Sequence, residues 1–306
     1  MEKNSVAIIG MGNVGQAICH SLLKDGIFQT IYIIDKDPQL VEGLYLDFSH
    51  AAVNYGLTGV KPGTYQNLKE CSFVIITIGV KQNSKDPREK QNKDVLEMYD
   101  EVLKNMAKVK YNEFVIIASN PLDLLTYYTY KKLGIDKNKI IGTGTLLDSK
   151  RFKFLLAERL KVSPNALQGF VLGQHGRYLV PIYSITRVYS AKLSDYMFNH
   201  NVSIDKEKVN ELVKEGGFYI VGKVGATRYG ISESVSEIIH AITLNKGALL
   251  PVSIISEDGT YAMSLPTIVT SNGVEEFKEL YFTKEEIATL EDCRKDAKAQ
   301  IEYYIK

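Results

Sequence analysis

A chain of 306 residues, 45% hydrophobic and 24% charged, carries enough apolar material for one large core or two moderate ones. Its 37 basic residues nearly cancel its 36 acidic ones, which counts against a nucleic-acid binder, and no apolar run approaches the roughly 20 residues of a membrane span. Cys19, Cys71 and Cys293 are far apart and lack CxxC spacing, so neither a disulfide framework nor a cysteine metal site is indicated, and a reducing cytoplasm fits. The opening Met-Glu-Lys-Asn-Ser has no basic segment ahead of an apolar core, so nothing there directs export.

Short, continuously apolar runs open the chain: Val6 to Ile9, Ile31 to Ile34, Phe73 to Ile78 and Phe114 to Ala118. Runs apolar on both faces suit strands covered on both sides, as in a parallel sheet. Helical segments lie between them. From Arg88 to Lys110 the apolar positions Val95, Tyr99, Val102, Met106 and Val109 recur every three or four residues, the buried stripe of a crossover helix. After Gly142 the rhythm becomes mixed: a helix from Leu147 to Leu160, strand-like stretches Gln168 to Leu172 and Leu249 to Ile255, and a last helix opened by a Thr283/Glu286 capping box. That helix places Ile287, Leu290, Ala297, Ile301 and Tyr304 on one face for docking. The pattern predicts an α/β fold: a Rossmann doubly wound parallel sheet over residues 1–142, followed by an α+β substrate domain over 143–306 with the substrate at a tight junction.

Gly10, Gly12 and Gly15 form GxGxxG between the first strand run and a helical segment from Val14 to Lys24. Such glycines allow a tight turn, close approach of backbone to a pyrophosphate and close helix-to-strand packing. Asp35, twenty residues beyond Gly15 at the end of the next strand run, can accept hydrogen bonds from ribose hydroxyls. A carboxylate there repels a 2′-phosphate, which favours NAD over NADP.

Four further segments do not read as packing: Gly79 to Arg88, Ser119-Asn120-Pro121, Gly142 to Phe152 and Gly173 to Gly176. Ile141-Gly142-Thr143-Gly144-Thr145-Leu146-Leu147-Asp148-Ser149 with Arg151, together with GxHG around His175, resembles the lactate/malate dehydrogenase family, and the similarity runs through nearly the whole chain. The resemblance implies an NAD-dependent, L-lactate dehydrogenase-like 2-hydroxyacid dehydrogenase that works as a homotetramer or homodimer on a small 2-oxo or L-2-hydroxy acid. It makes His175 the residue that exchanges a proton with the substrate oxygen, a task suited to a group titrating near neutrality. Asp148 would orient and stabilise its ring, and Arg151, one helical turn on, would grip the substrate carboxylate in a bidentate fork. By the same resemblance Arg88 polarises the substrate carbonyl from a mobile loop, Asn120 contacts substrate and cofactor, Thr227 lines the pocket and Ile231 touches the nicotinamide.

Gln82 stands at the loop position that separates the family's branches, where glutamine suits a neutral side chain and arginine a second carboxylate. Gly216-Gly217 replace common alanines, so longer 2-oxo acids are expected to fit. Two departures stand out. Arg177, two residues after His175, is expected to lower the histidine's pKa or to meet an acidic substrate group, and Ser84-Lys85-Asp86-Pro87 alters the mobile loop ahead of Arg88. Two alternatives stay open: a malate dehydrogenase in which Arg177 supplies the missing charge, and an NAD-binding relative with little catalytic activity.

Overall fold

The computed structural model describes residues 3–55, 58–79 and 88–305, Arg88 by its backbone alone. Six parallel strands form the first half of the sheet: β1 (Ser5–Ile9), β2 (Thr30–Ile34), β3 (Gly59–Pro62), β4 (Cys71–Ile76), β5 (Phe114–Ile117) and β6 (Ile140–Gly142), in spatial order 3-2-1-4-5-6. This is the doubly wound order expected from the alternating pattern. The runs are apolar on both faces because both faces are covered. Val6, Ile8, Ile31, Ile33 and Ile75 belong to one core with α1 (Asn13–Asp25), while Ala7, Ile9, Val74, Ile76 and Val115 belong to another with α3 (Arg88–Lys108) and α4 (Leu122–Leu133). Each buried valine or isoleucine among them contributes about 1.5–3 kcal/mol before entropy is counted.

The stripe on α3 packs as its period requires, with Val95, Tyr99, Val102 and Met106 all buried. β3 went unread because Val60 is its only buried residue, too little for any periodicity. It follows α2 (Pro38–Ala52), whose start Asp37 caps by accepting from the Gln39 and Leu40 N–H groups.

The second half adds α5 (Leu146–Leu160), β7 (Leu167–Gln174), β8 (Tyr178–Val188), β9 (Ala191–Lys192), α6 (Leu193–Asn199), α7 (Lys206–Val224), α8 (Tyr229–Thr243), β10 (Ala248–Ile255), β11 (Ala262–Thr270), β12 (Gly273–Glu276) and α9 (Lys284–Tyr304). Its strands pair antiparallel, and β10 joins β6 through Ser253 and Gly142, so the sheet is continuous across the two halves. α8 packs on the first core through Val235, Ile238 and Ile239.

The terminal helix opens with the expected capping box: Glu286 N–H donates to the Thr283 hydroxyl at 3.2 Å and Thr283 N–H to the Glu286 carboxylate at 2.9 Å. Leu290, Cys293 and Ala297 are buried, but Ile287 is 47% exposed, contrary to its expected place on the docking face. Glu286 reaches back to Ser184 on β8 and anchors that turn instead of Ile287. Among the described residues no helix is long and apolar enough to cross a membrane.

Candidate active site

The carboxyl ends of β1, β2, β5 and β6 and the turn after β7 supply the site. Gly10 leaves β1 with a φ of +96°, a conformation that favours glycine. At Gly15 a Cβ would lie 2.1 Å from the Gly10 carbonyl oxygen, so only glycine lets α1 approach the strand this closely. Gly12 caps α1 without a side-chain bond to the helix, has no atom of the described residues within 4 Å of where a Cβ would stand, and is followed by no acidic residue in the first turn. The helix therefore presents free N–H groups and its positive end to an anion. Asp35 accepts from the Met11 N–H at 2.6 Å and the Asp37 N–H at 3.1 Å, tying the glycine turn to the end of β2. Its oxygens keep lone pairs for ribose hydroxyls. These residues fit a dinucleotide.

At the far end of β6, Asp148 sits in the first turn of α5 with its side chain 2% exposed. One oxygen lies 2.7 Å from His175 Nδ1, and the other accepts from Arg151 Nη1 at 2.5 Å. His175 occupies the turn between β7 and β8, and its backbone N–H donates to Asp123 Oδ2 at 2.8 Å. Burial disfavours the imidazolium, but the charge and hydrogen bond of Asp148, with the charge of Asp123, outweigh it and raise the pKa of His175. Asp148 moves the other way: burial opposes its charge, and His175 and Arg151 hold it below the usual carboxylate range. With Nδ1 held, Nε2 is the nitrogen left to exchange a proton, on a side chain still about a quarter exposed.

Asp123 is a site residue that the sequence reading missed. It lies in the first turn of α4 and accepts from the Ser253 hydroxyl at 2.6 Å as well as from His175, while burial pushes its pKa up to about 6. An acid at a helix N-terminus is ordinary in sequence, so Asn120-Pro121-Leu122-Asp123 gave no local sign that this one supports a histidine 52 residues away.

Of the other predicted residues, Asn120 lies three residues before Asp123, and Gly216 and Gly217 meet Arg151. Asn120 is exposed just beyond β5, and its bond to Pro121 is cis. Gly216 and Gly217 on α7 lie against Arg151, where a Cβ would stand 3.2 Å from its Cδ and 3.6 Å from Nη2 respectively. Thr227 falls between α7 and α8, and Ile231 is in the first turn of α8, next to Gly230, which packs on Leu147 of α5. Arg88 begins α3, but its side chain lies outside the described residues, as do Gln82 and the segment 84–87.

Arg177 corrects an expectation. Its guanidinium pairs with Asp296 of α9 at 2.8 Å and lies over the Tyr178 ring, so its charge is matched away from the histidine, whose pKa rises instead of falling.

Residues 4–142 match the family model described as lactate/malate dehydrogenase, NAD binding domain, and residues 145–306 that of the lactate/malate dehydrogenase alpha/beta C-terminal domain. The L-lactate dehydrogenase of Acetivibrio thermocellus is 33% identical over 93% of this chain and 92% of its own length. L-lactate dehydrogenase 2 of Clostridium acetobutylicum is 32% identical over 98% of this chain and 97% of its own. In structure, the ligand-bound minor L-lactate dehydrogenase of Enterococcus mundtii superposes with a TM-score of 0.93 at 29% identity, covering 99% of each chain.

Proposed function

Because the chain belongs to the lactate/malate dehydrogenase family, we propose that it catalyses 2-oxo acid + NADH + H⁺ ⇌ L-2-hydroxy acid + NAD⁺ on monocarboxylic substrates, pyruvate or longer. The observation that carries this reading is the direct contact of His175, Asp148 and Arg151. NAD(H), when bound at the Gly10–Gly15 turn and Asp35, supplies or accepts the hydride at the substrate's C2.

His175 passes the accompanying proton between Nε2 and the substrate oxygen. Asp148 keeps the proton on Nδ1 and stabilises the imidazolium that reduction consumes and oxidation regenerates. Arg151 offers its remaining N–H donors to the carboxylate, and Arg88 polarises the carbonyl. Asn120 contacts substrate and cofactor, Thr227 forms pocket wall, and Ile231 lies against the nicotinamide. Gln82 leaves a second carboxylate without a partner, and Arg177 is paired with Asp296, so the malate alternative loses its proposed cation. Gly216 and Gly217 face Arg151 without a Cβ, and the acceptance of a longer substrate side chain rests on these glycines standing where alanines are common.

Residues 1–142 form the NAD-binding domain and 143–306 the catalytic domain of a cytoplasmic enzyme, a location in keeping with three free, buried cysteines. The enzyme works as a homodimer or homotetramer. Phe218, Tyr219, Val224 and Tyr229 on α7 and α8 are each more than 60% exposed, an apolar surface that suits burial against another copy.

A steady-state panel of pyruvate, 2-oxoisocaproate and oxaloacetate with NADH and NADPH tests the reading. The two monocarboxylates are expected to be within about tenfold of each other in kcat/KM, oxaloacetate more than about tenfold poorer, and NADPH weaker than NADH. Preference for oxaloacetate would favour the malate reading. NADH binding without turnover of any acid would leave a binding protein.

A further inference from the structure

Both flanks of His175 are held from α9. On one side the buried amide of Gln174 donates from Nε2 to the Cys293 carbonyl at 2.7 Å and accepts at Oε1 from Gln300 Nε2 at 2.8 Å. On the other, Arg177 Nη2 donates to Asp296 Oδ1 at 2.8 Å. Gln300 Nε2 also reaches Asp296 Oδ2 at 2.5 Å, which closes a continuous polar path from Gln174 through Gln300 and Asp296 to Arg177. Cys293, Asp296 and Gln300 fall three and four residues apart, on one face of the helix.

The turn needs this support. Gly173 and Gly176, with φ of +95° and +73°, bracket it with two residues whose backbone is conformationally permissive. α9 is itself secured at its far end, where the Tyr303 hydroxyl donates to Glu89 and Asn92 Nδ2 donates to the Tyr304 hydroxyl at 3.2 Å, both on α3.

We propose that Gln300 and Asp296 are positioning residues for proton transfer, acting through Gln174 and Arg177 to hold the His175 turn where Nδ1 meets Asp148. This rests on reading His175 as the proton-transfer residue. Among the described residues, the charged groups around the ring are Asp148 and Arg151 of α5 and Asp123 of α4, while Asp296 of α9 acts one step removed, through Arg177. A turn that loses its α9 contacts lets the ring drift from Asp148, so the imidazolium loses support and the histidine titrates lower.

The test compares wild type with Gln300→Leu, Gln300→Lys, Gln300→Ala and a His175→Ala reference, measuring 2-oxo acid reduction against pH and NADH binding by fluorescence. For Gln300→Leu, kcat is expected to fall about tenfold, a loss in scale with a misplacement well under 1 Å. KM should stay within about twofold, NADH affinity unchanged, and the alkaline limb of the pH profile should move to lower pH. Gln300→Lys retains donors for both acceptors and restores turnover and limb. Wild-type kcat and an unmoved limb in Gln300→Leu overturn the proposal. If that variant fails to fold, Gln300→Ala, which leaves the Arg177–Asp296 pair intact, decides by the same two readouts, with a shifted limb supporting the proposal and an unmoved one overturning it. Full activity in His175→Ala would instead remove the reading of the site on which the proposal rests.

Discussion

Replacing His175 with alanine is expected to lower kcat for 2-oxo acid reduction by about 10²–10⁴-fold, the usual contribution of a positioned acid–base group, with NADH affinity unchanged. Among the described residues the site's geometry leaves no substitute. Asp148 is buried against Arg151, and Asp123 spends its two oxygens on the His175 N–H and the Ser253 hydroxyl. Asp148→Asn should produce a loss of the same order by a different route. An amide at this position can donate to Nδ1, which fixes the neutral ring with its proton on Nε2. That form cannot accept a proton during hydroxy acid oxidation, and it would donate during reduction only by becoming an imidazolate. Steady-state rates in both directions check the pair. Near-wild-type turnover in His175→Ala would remove the histidine from the chemistry.

Arg151→Lys is expected to cost about 2–5 kcal/mol of transition-state binding, which is roughly 30- to 5000-fold in kcat/KM, with most of the loss in KM. The guanidinium already gives Nη1 to Asp148 at 2.5 Å, with its side chain 16% exposed, and still has donors for a carboxylate. A lysine ammonium keeps the charge but lacks the planar fork that serves both partners at once. The change should leave NADH affinity unaltered. A loss of less than about threefold in kcat/KM would make Arg151 a structural partner of Asp148 alone.

The parts of the molecule legible in the sequence are those whose cause is local. β1, β2, β4 and β5 were readable because each is buried on both faces, and α3 because its buried stripe has the period of a helix. The dinucleotide turn was readable for a similar reason: Gly10 takes a positive φ, Gly15 is pressed by the Gly10 carbonyl five residues before it, and Asp35 reaches a turn only 24 residues away. Asp148 and Arg151 share a helix turn, so their meeting was also in reach of the sequence.

What could not be read depends on distant segments meeting. Arg177 is separated from Asp296 by 119 residues, and without that partner its charge pointed either to the histidine two residues before it or to an acidic substrate group. Asp123 looked like an ordinary helix-start acid until the fold brought His175 and Ser253 to its two oxygens. Ile287 fitted the apolar period of α9, yet the first turn is held by the capping box and by Ser184, which leaves that side chain outside. In each case the sequence supplied the group, and long-range packing decided what it touches.

The most direct measurement is the pH dependence of kcat/KM for 2-oxo acid reduction, in wild type and in Asp148→Asn. Reduction needs protonated His175, so the rate should be full at low pH and fall as pH rises through the histidine's pKa. The midpoint should lie above the ordinary imidazole value of about 6.5, because Asp148 and Asp123 raise it against burial. Oxidation of the hydroxy acid needs the neutral ring and should rise through the same midpoint. In Asp148→Asn the reduction limb should move to lower pH. A wild-type profile flat between about pH 5.5 and 9, or a midpoint that Asp148→Asn leaves in place, would contradict proton transfer by a His175 tuned by Asp148.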